Sequence, residues 1–100
     1  MLQVTMTKGL PDVTLVLEGE LDMATGDILR EVVDGLDLEK LNSITFSLDG
    51  LAFIDSTGIG QLIGYYRSFA KHNTQVYINN NNKDIEEVLE LVGVREIMKT

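Results

Sequence analysis

Leu51-Ala52-Phe53-Ile54-Asp55-Ser56-Thr57-Gly58-Ile59-Gly60 joins an apolar loop to a strongly periodic helix. Counting from Ile59, apolar residues return at Leu62, Ile63, Tyr66, Phe69 and Ala70. That is the spacing of a helix with one buried stripe, ending near Lys71 or His72. Ser56 or Asp55 stands at the N-cap, where a side-chain oxygen accepts an orphan backbone N–H. A hydroxyl there also lies at the positive end of the helix dipole, where added negative charge is tolerated. Two readings of Ser56 follow from the residues: a plain cap, or a phosphorylation switch. Gly58 and Gly60 fall in the first turn, where each weakens a helix by roughly 1 kcal/mol relative to Ala. Glycine there permits close approach of another backbone, a ligand or a partner. The lead-in Leu51 to Ile54 is either core or part of a docking patch.

Upstream, Leu2, Val4 and Met6 alternate with polar residues as in a strand with one buried face. Lys8 to Asp12 is a turn, and Val13 to Leu17 is a near-continuous apolar strand, central and covered. Glu18-Gly19-Glu20-Leu21-Asp22 ends it. A helix follows, with Ile28, Leu29, Val32, Val33 and Leu36 on one face, and Asp22 and Thr25 compete as its cap. Ile44, Phe46 and Leu48 make a third strand, and Asp49-Gly50 turns the chain. Downstream, Gln75 to Asn79 is a fourth strand with Val76 and Ile78 facing in. The run Asn79 to Asn82 is a turn closing on an Asn82 cap. Ile85, Val88, Leu89 and Val92 form the stripe of a last helix, Gly93 takes its left-handed C′ position, and Val94 to Met98 adds one turn. Tyr65 and Tyr66, being adjacent, divide between core and rim; the methionines read as packing or ends.

Strand–helix–strand units give parallel neighbours. The expected fold is therefore α/β: a mixed sheet of about four strands, the first antiparallel and the rest parallel, with helices mainly on one face. The 100 residues suit one domain, 1–100, and the 44% hydrophobic content suffices for a core. The absence of cysteine excludes disulfides and thiolate metal sites. No apolar run approaches the roughly 20 residues that span a bilayer, and the N-terminus lacks signal-peptide features. A cytoplasmic location is the default expectation. Sixteen acidic side chains against eight basic ones give a net charge of −8, which argues against nucleic acid and anionic membranes. A basic or mixed-charge protein partner is the natural inference, and the charge favours a monomer.

Parallel strands bring their carboxyl ends to one edge, so Asp22 and Asp55 come to flank the Ser56 hydroxyl where open α/β sheets bind ligands and partners. An enzyme is disfavoured. His72 is the single histidine and lies about 24 Å along the helix at a rise of about 1.5 Å per residue. Asp22 and Asp55 would need a third carboxylate or a lysine to hold Mg²⁺ as phosphoacceptor sites do, and no motif places one. The Gly58-Ile59-Gly60 turn offers anion-binding donors but belongs to no P-loop run. Neither metal nor cofactor is expected.

Glu18-Gly19-Glu20-Leu21-Asp22, followed at the right spacing by Leu51 to Gly60, resembles the bacterial anti-sigma factor antagonists, the small stand-alone STAS domains. The resemblance covers nearly the whole chain. It implies that Ser56 is phosphorylated by a partner anti-sigma factor, itself a serine kinase. The unphosphorylated form would bind that partner and free a sigma factor, and a serine phosphatase would restore it. The partner-binding set carried over is Asp22, Asp55, Ser56, Thr57 and Gly58. Residues beyond Gly60 carry no transferable contacts, and family members often add a strand or helix past the position of Thr100. The competing expectation within the same fold is an accessory subunit of a membrane transporter or a stress-signalling complex.

Overall fold

The computed structural model describes residues 1–98. Its order is β1 (Leu2–Lys8), β2 (Asp12–Leu21), α1 (Gly26–Asp34), a 3-10 turn (Leu38–Lys40), β3 (Ser43–Ile54), α2 (Ser56–Ala70), β4 (Gln75–Asn79), α3 (Lys83–Val92) and α4 (Val94–Ile97). The four strands form one sheet in the order β1-β2-β3-β4. The first pair is antiparallel and the other two are parallel, as the sequence predicts.

Side chains decide which face the helices cover. Along β2 and β3, Val13, Leu15, Leu17, Ile44, Phe46 and Leu48 are buried, while Thr14, Val16, Thr45 and Ser47 between them are half-buried. The apolar set meets Leu29 and Val33 of α1, Ile59, Leu62 and Phe69 of α2, Ile85 and Leu89 of α3 and Val94 of α4 in one core. The other face is uncovered, so β2 is central but covered on one side only. Burial contributes roughly 1.5–3 kcal/mol for each such side chain. α1, at nine residues, is too short to persist alone, so docking of Leu29 and Val33 is what holds it. Tyr65 stacks between Phe46 and Phe69, whereas Tyr66 lines a surface groove with Ala70. Tyr65 is thus the core member of the pair.

Three expectations need correction. β1, the edge strand, loses its buried face after Val4, and Met6 is 46% exposed although it still pairs opposite the buried Leu15. The helix stripes are narrower than predicted: Ile28 lies at the rim of α1, and Ala70 of α2 and Val92 of α3 are exposed. Most important, Asp49-Gly50 does not turn the chain. β3 runs on to Ile54 beside an equally prolonged β2, in which Gly19 adopts φ +98°. Two register shifts, at Val16/Glu18 and Gly19/Glu20, pass extra β3 residues across the ladder. The buried residues accordingly change from every second position, Ile44, Phe46 and Leu48, to every third, Leu51 and Ile54. An apolar stretch without period-2 alternation reads as a loop, yet pairs as a strand through its bulges.

The C-terminal elements follow local rules. The Asn82 side chain accepts from the Asp84 and Ile85 N–H groups and donates to Leu51 O at 2.8 Å, tying the α3 cap to β3. Gly93 closes α3 at φ +77°. Arg95 donates to Ile78 O and to both Glu86 oxygens, and Asn80 donates to Glu86. The Arg95 and Asn80 hydrogen bonds hold the Glu86 carboxyl below the usual carboxylate range against the opposing effect of burial. A lowered folded value means that this contribution is present above the unfolded carboxylate range and lost as pH falls through the folded value. Glu86→Gln is therefore expected to lower stability by about 1 kcal/mol at neutral pH. Urea titrations should show the gap to wild type closing as pH is lowered.

Candidate functional site

The carboxyl ends of β2 and β3 lie side by side, joined by Leu21 opposite Ile54 and by the Asp55 N–H donating to Leu21 O at 3.3 Å. Each end opens into a helix. Asp55, in extended conformation, is the N-cap of α2, and its Oδ1 accepts the Gly58 N–H at 2.8 Å. Its Oδ2 accepts the Met23 N–H at 3.3 Å. One carboxylate thus caps its own helix and fastens the loop that follows β2.

Asp22 performs the matching task on that loop. Its Oδ1 accepts from the Ala24 and Thr25 N–H groups, while the Thr25 hydroxyl accepts the Asp22 N–H at 3.0 Å and donates to Glu20 O at 2.8 Å. This reciprocal pairing is a capping box over the turn that enters α1. The helix itself begins after Thr25, whose hydroxyl makes no cap bond to it. Both candidates of the sequence reading therefore take part, one turn apart.

Ser56 is the first residue of α2, exposed, and the cap belongs to Asp55 rather than to the serine. The Ser56 hydroxyl is thus not the group that holds the helix end. Thr57 beside it is also exposed. Gly58 is buried. A Cβ there would lie 2.6 Å from Leu21 O, 2.9 Å from Leu21 Cγ and 3.0 Å from Ile54 Cγ1. The close approach that glycine permits here is to the chain's own β2, and Gly58 can serve a partner only by setting where α2 begins. Around Gly60 the space is open. Gln61 braces the two helix starts, donating to Gly26 O at 2.9 Å and to the Tyr65 hydroxyl at 2.8 Å.

Asp22, Asp55, Ser56 and Thr57 are brought together at this edge. The two carboxylates face inward onto backbone N–H groups, leaving the hydroxyls outward. His72 lies past the opposite end of α2. Sequence reasoning missed Met23, 81% exposed on the loop after β2, and left Phe53 undecided between core and docking patch. The structure divides that stretch: Leu51 and Ile54 are core, and Ala52 and Phe53 are exposed. Met23, a large apolar residue between Asp22 and Ala24 in a capped turn, carried the signal that was overlooked. Among the described residues, no helix is long and apolar enough to cross a membrane.

The STAS domain family model matches residues 2–100. An anti-sigma F factor antagonist of Paenibacillus polymyxa is 30% identical over 83 residues, covering 82% of this chain and 71% of that one. Among solved structures, an anti-sigma factor antagonist from Mycobacterium paratuberculosis superposes with a TM-score of 0.86 at 15% identity, over 99% of this chain and 84% of that one. The anti-sigma factor antagonist SpoIIAA in its unphosphorylated form gives 0.75 at 22% identity, over 94% and 82%. SpoIIAA in its phosphorylated form gives 0.68 at 23%, over 96% and 86%. At these identities the solved structures carry the fold.

Two substitutions test the edge geometry. Asp55→Ala removes a cap and a loop contact together and should cost about 2 kcal/mol, the upper part of the cap range, seen as a melting shift of about 8–16 °C. Gly58→Ala should cost about 2–3 kcal/mol through overpacking against backbone, where an ordinary helical Gly→Ala would stabilise. A melting temperature raised by Gly58→Ala would contradict the packing described.

Proposed function

This chain belongs to the STAS domain family, among the anti-sigma factor antagonists, and we propose that it acts as a phosphorylation-controlled partner switch. In its unmodified form it binds an anti-sigma factor that is also a serine kinase, and so releases a sigma factor. The kinase phosphorylates Ser56, and binding is lost. A serine phosphatase restores the active form. The observation that carries this reading is the exposed Ser56 hydroxyl on the first turn of α2, outside a helix end already capped by Asp55.

The chemistry balances without a catalytic group from this chain. Ser56 Oγ attacks the γ-phosphorus of ATP, the bond to the β-phosphate oxygen breaks, ADP leaves, and the hydroxyl proton passes to a base of the kinase. Hydrolysis by the phosphatase returns the hydroxyl and inorganic phosphate.

The effect of the phosphate follows from where it lands. It adds roughly −1.5 to −2 charges at neutral pH. On the first turn of a helix that charge meets the positive end of the dipole, so the fold tolerates it. The nearest carboxylate, Asp55, is already held by two N–H groups and keeps its place. Against a closely packed partner the same charge is desolvated beside acidic neighbours, and like-charge juxtaposition costs several kcal/mol. A penalty of about 3–4 kcal/mol weakens binding by two to three orders of magnitude. The switch therefore acts on the interface and leaves the host intact.

The experiment is incubation with a cognate anti-sigma kinase and ATP, mapping of the phosphosite, and calorimetric binding of both forms. Phosphate at Ser56, affinity reduced about 100- to 1000-fold and a melting temperature moved by no more than a few degrees are expected. Modification elsewhere, or equal affinity of the two forms, would contradict the reading. Ser56→Ala should bind like the unmodified chain and take up no phosphate.

A further inference from the structure

We infer that Phe53 and Met23 are the apolar anchors by which the anti-sigma kinase grips this chain beside Ser56; the inference rests on the functional reading above. Phe53 is 51% exposed and Met23 is 81% exposed. Both exposures are built by the backbone. Phe53 stands opposite Glu20 immediately after the register shift at Gly19/Glu20, and that shift makes Ala52 and Phe53 an outward pair between the buried Leu51 and Ile54. With unbroken alternation one residue of that pair would be buried. Met23 is held out on a turn fixed by the Asp22–Thr25 capping box, and its own N–H is bound by Asp55, the residue before Ser56. That bond fastens the Met23 turn to the residue that precedes Ser56.

The occupant follows from charge and chemistry together. Aromatic residues and methionine are the side chains enriched in the buried centre of protein interfaces. Around them this chain is acidic, with exposed Glu18 on the neighbouring strand, Glu20 paired there with the Met1 ammonium, and a net charge of −8. The complementary surface is a shallow apolar pocket rimmed by lysine and arginine, on the kinase domain that presents ATP to Ser56. The anchors also give the switch its depth. Apolar contacts exclude water from the surface around Ser56, so the phosphate is stripped of hydration when a partner closes over it.

The test is calorimetric titration of the unphosphorylated full chain with the anti-sigma kinase in the presence of ADP, comparing wild type, Phe53→Ala, Met23→Ala and Leu91→Ala. Leu91, 87% exposed near the far end of α3, controls for general surface apolarity. Phe53→Ala should weaken binding about thirtyfold and Met23→Ala about fivefold, with Leu91→Ala within about twofold of wild type. Met23 is too exposed to act through the fold, and melting curves check Phe53→Ala. Wild-type binding with both anchor variants within about twofold would overturn the anchors and leave the switch standing. An equal loss in Leu91→Ala would overturn them as well. A wild-type chain that does not bind the kinase would overturn the functional reading and the anchors together.

Discussion

The Asp55 carboxylate is the contact on which the edge of this molecule depends. One oxygen satisfies the Gly58 N–H at the start of α2, and the other takes the Met23 N–H from the neighbouring loop. Two chain segments that leave adjacent parallel strands are thereby held by a single side chain. Caps stabilise helices by about 1 kcal/mol, which is modest. The larger effect is geometric, since the cap also sets the distance between two helix starts. Gly58 makes this possible, because only a residue without a Cβ lets α2 begin against Leu21 O. The serine next to Asp55 is consequently relieved of structural duty. A hydroxyl needed for capping could not be modified without cost to the helix, whereas Ser56 can.

Much of this arrangement was legible in the sequence, wherever a local rule governed a local outcome. The period of α2, the Asn82 cap, the left-handed Gly93 and the parallel pairing imposed by intervening helices all follow from short-range spacing. The prolonged β3 was not legible, because its burial changes period within the strand. Ile44, Phe46 and Leu48 alternate, and then Leu51 and Ile54 return at intervals of three. Period three belongs to neither a flat strand nor a helix, and Asp49-Gly50 has the composition of a turn. Only the partner strand, with Gly19 in its left-handed conformation, shows that the ladder continues.

The site was legible in its residues and less so in its roles. Asp22, Asp55, Ser56 and Thr57 do gather at one edge, but the carboxylates serve backbone groups rather than flanking the hydroxyl as open charges. Cap preference alone does not separate Asp55 from Ser56, since both side chains accept an N–H well. The extended conformation of Asp55 beside Leu21 decides between them, and that is a tertiary fact. Met23 was read as filler because methionine in isolation usually is. Its exposure comes from a capping box whose two halves, Asp22 and Thr25, enclose Met23 and Ala24.

The three-residue return of Leu48, Leu51 and Ile54 makes counting matter more than chemistry in this part of the chain. The side chains that face outward at 52 and 53 are not packed in the core, and Asp49 accepts the Asn81 N–H. The number of residues is not free. Deleting one would invert the phase of all that follows, sending Asp55 inward or away and dragging the start of α2 off Leu21. Drift along this segment is thus closed to length, and insertions belong in the connections at the opposite rim of the sheet.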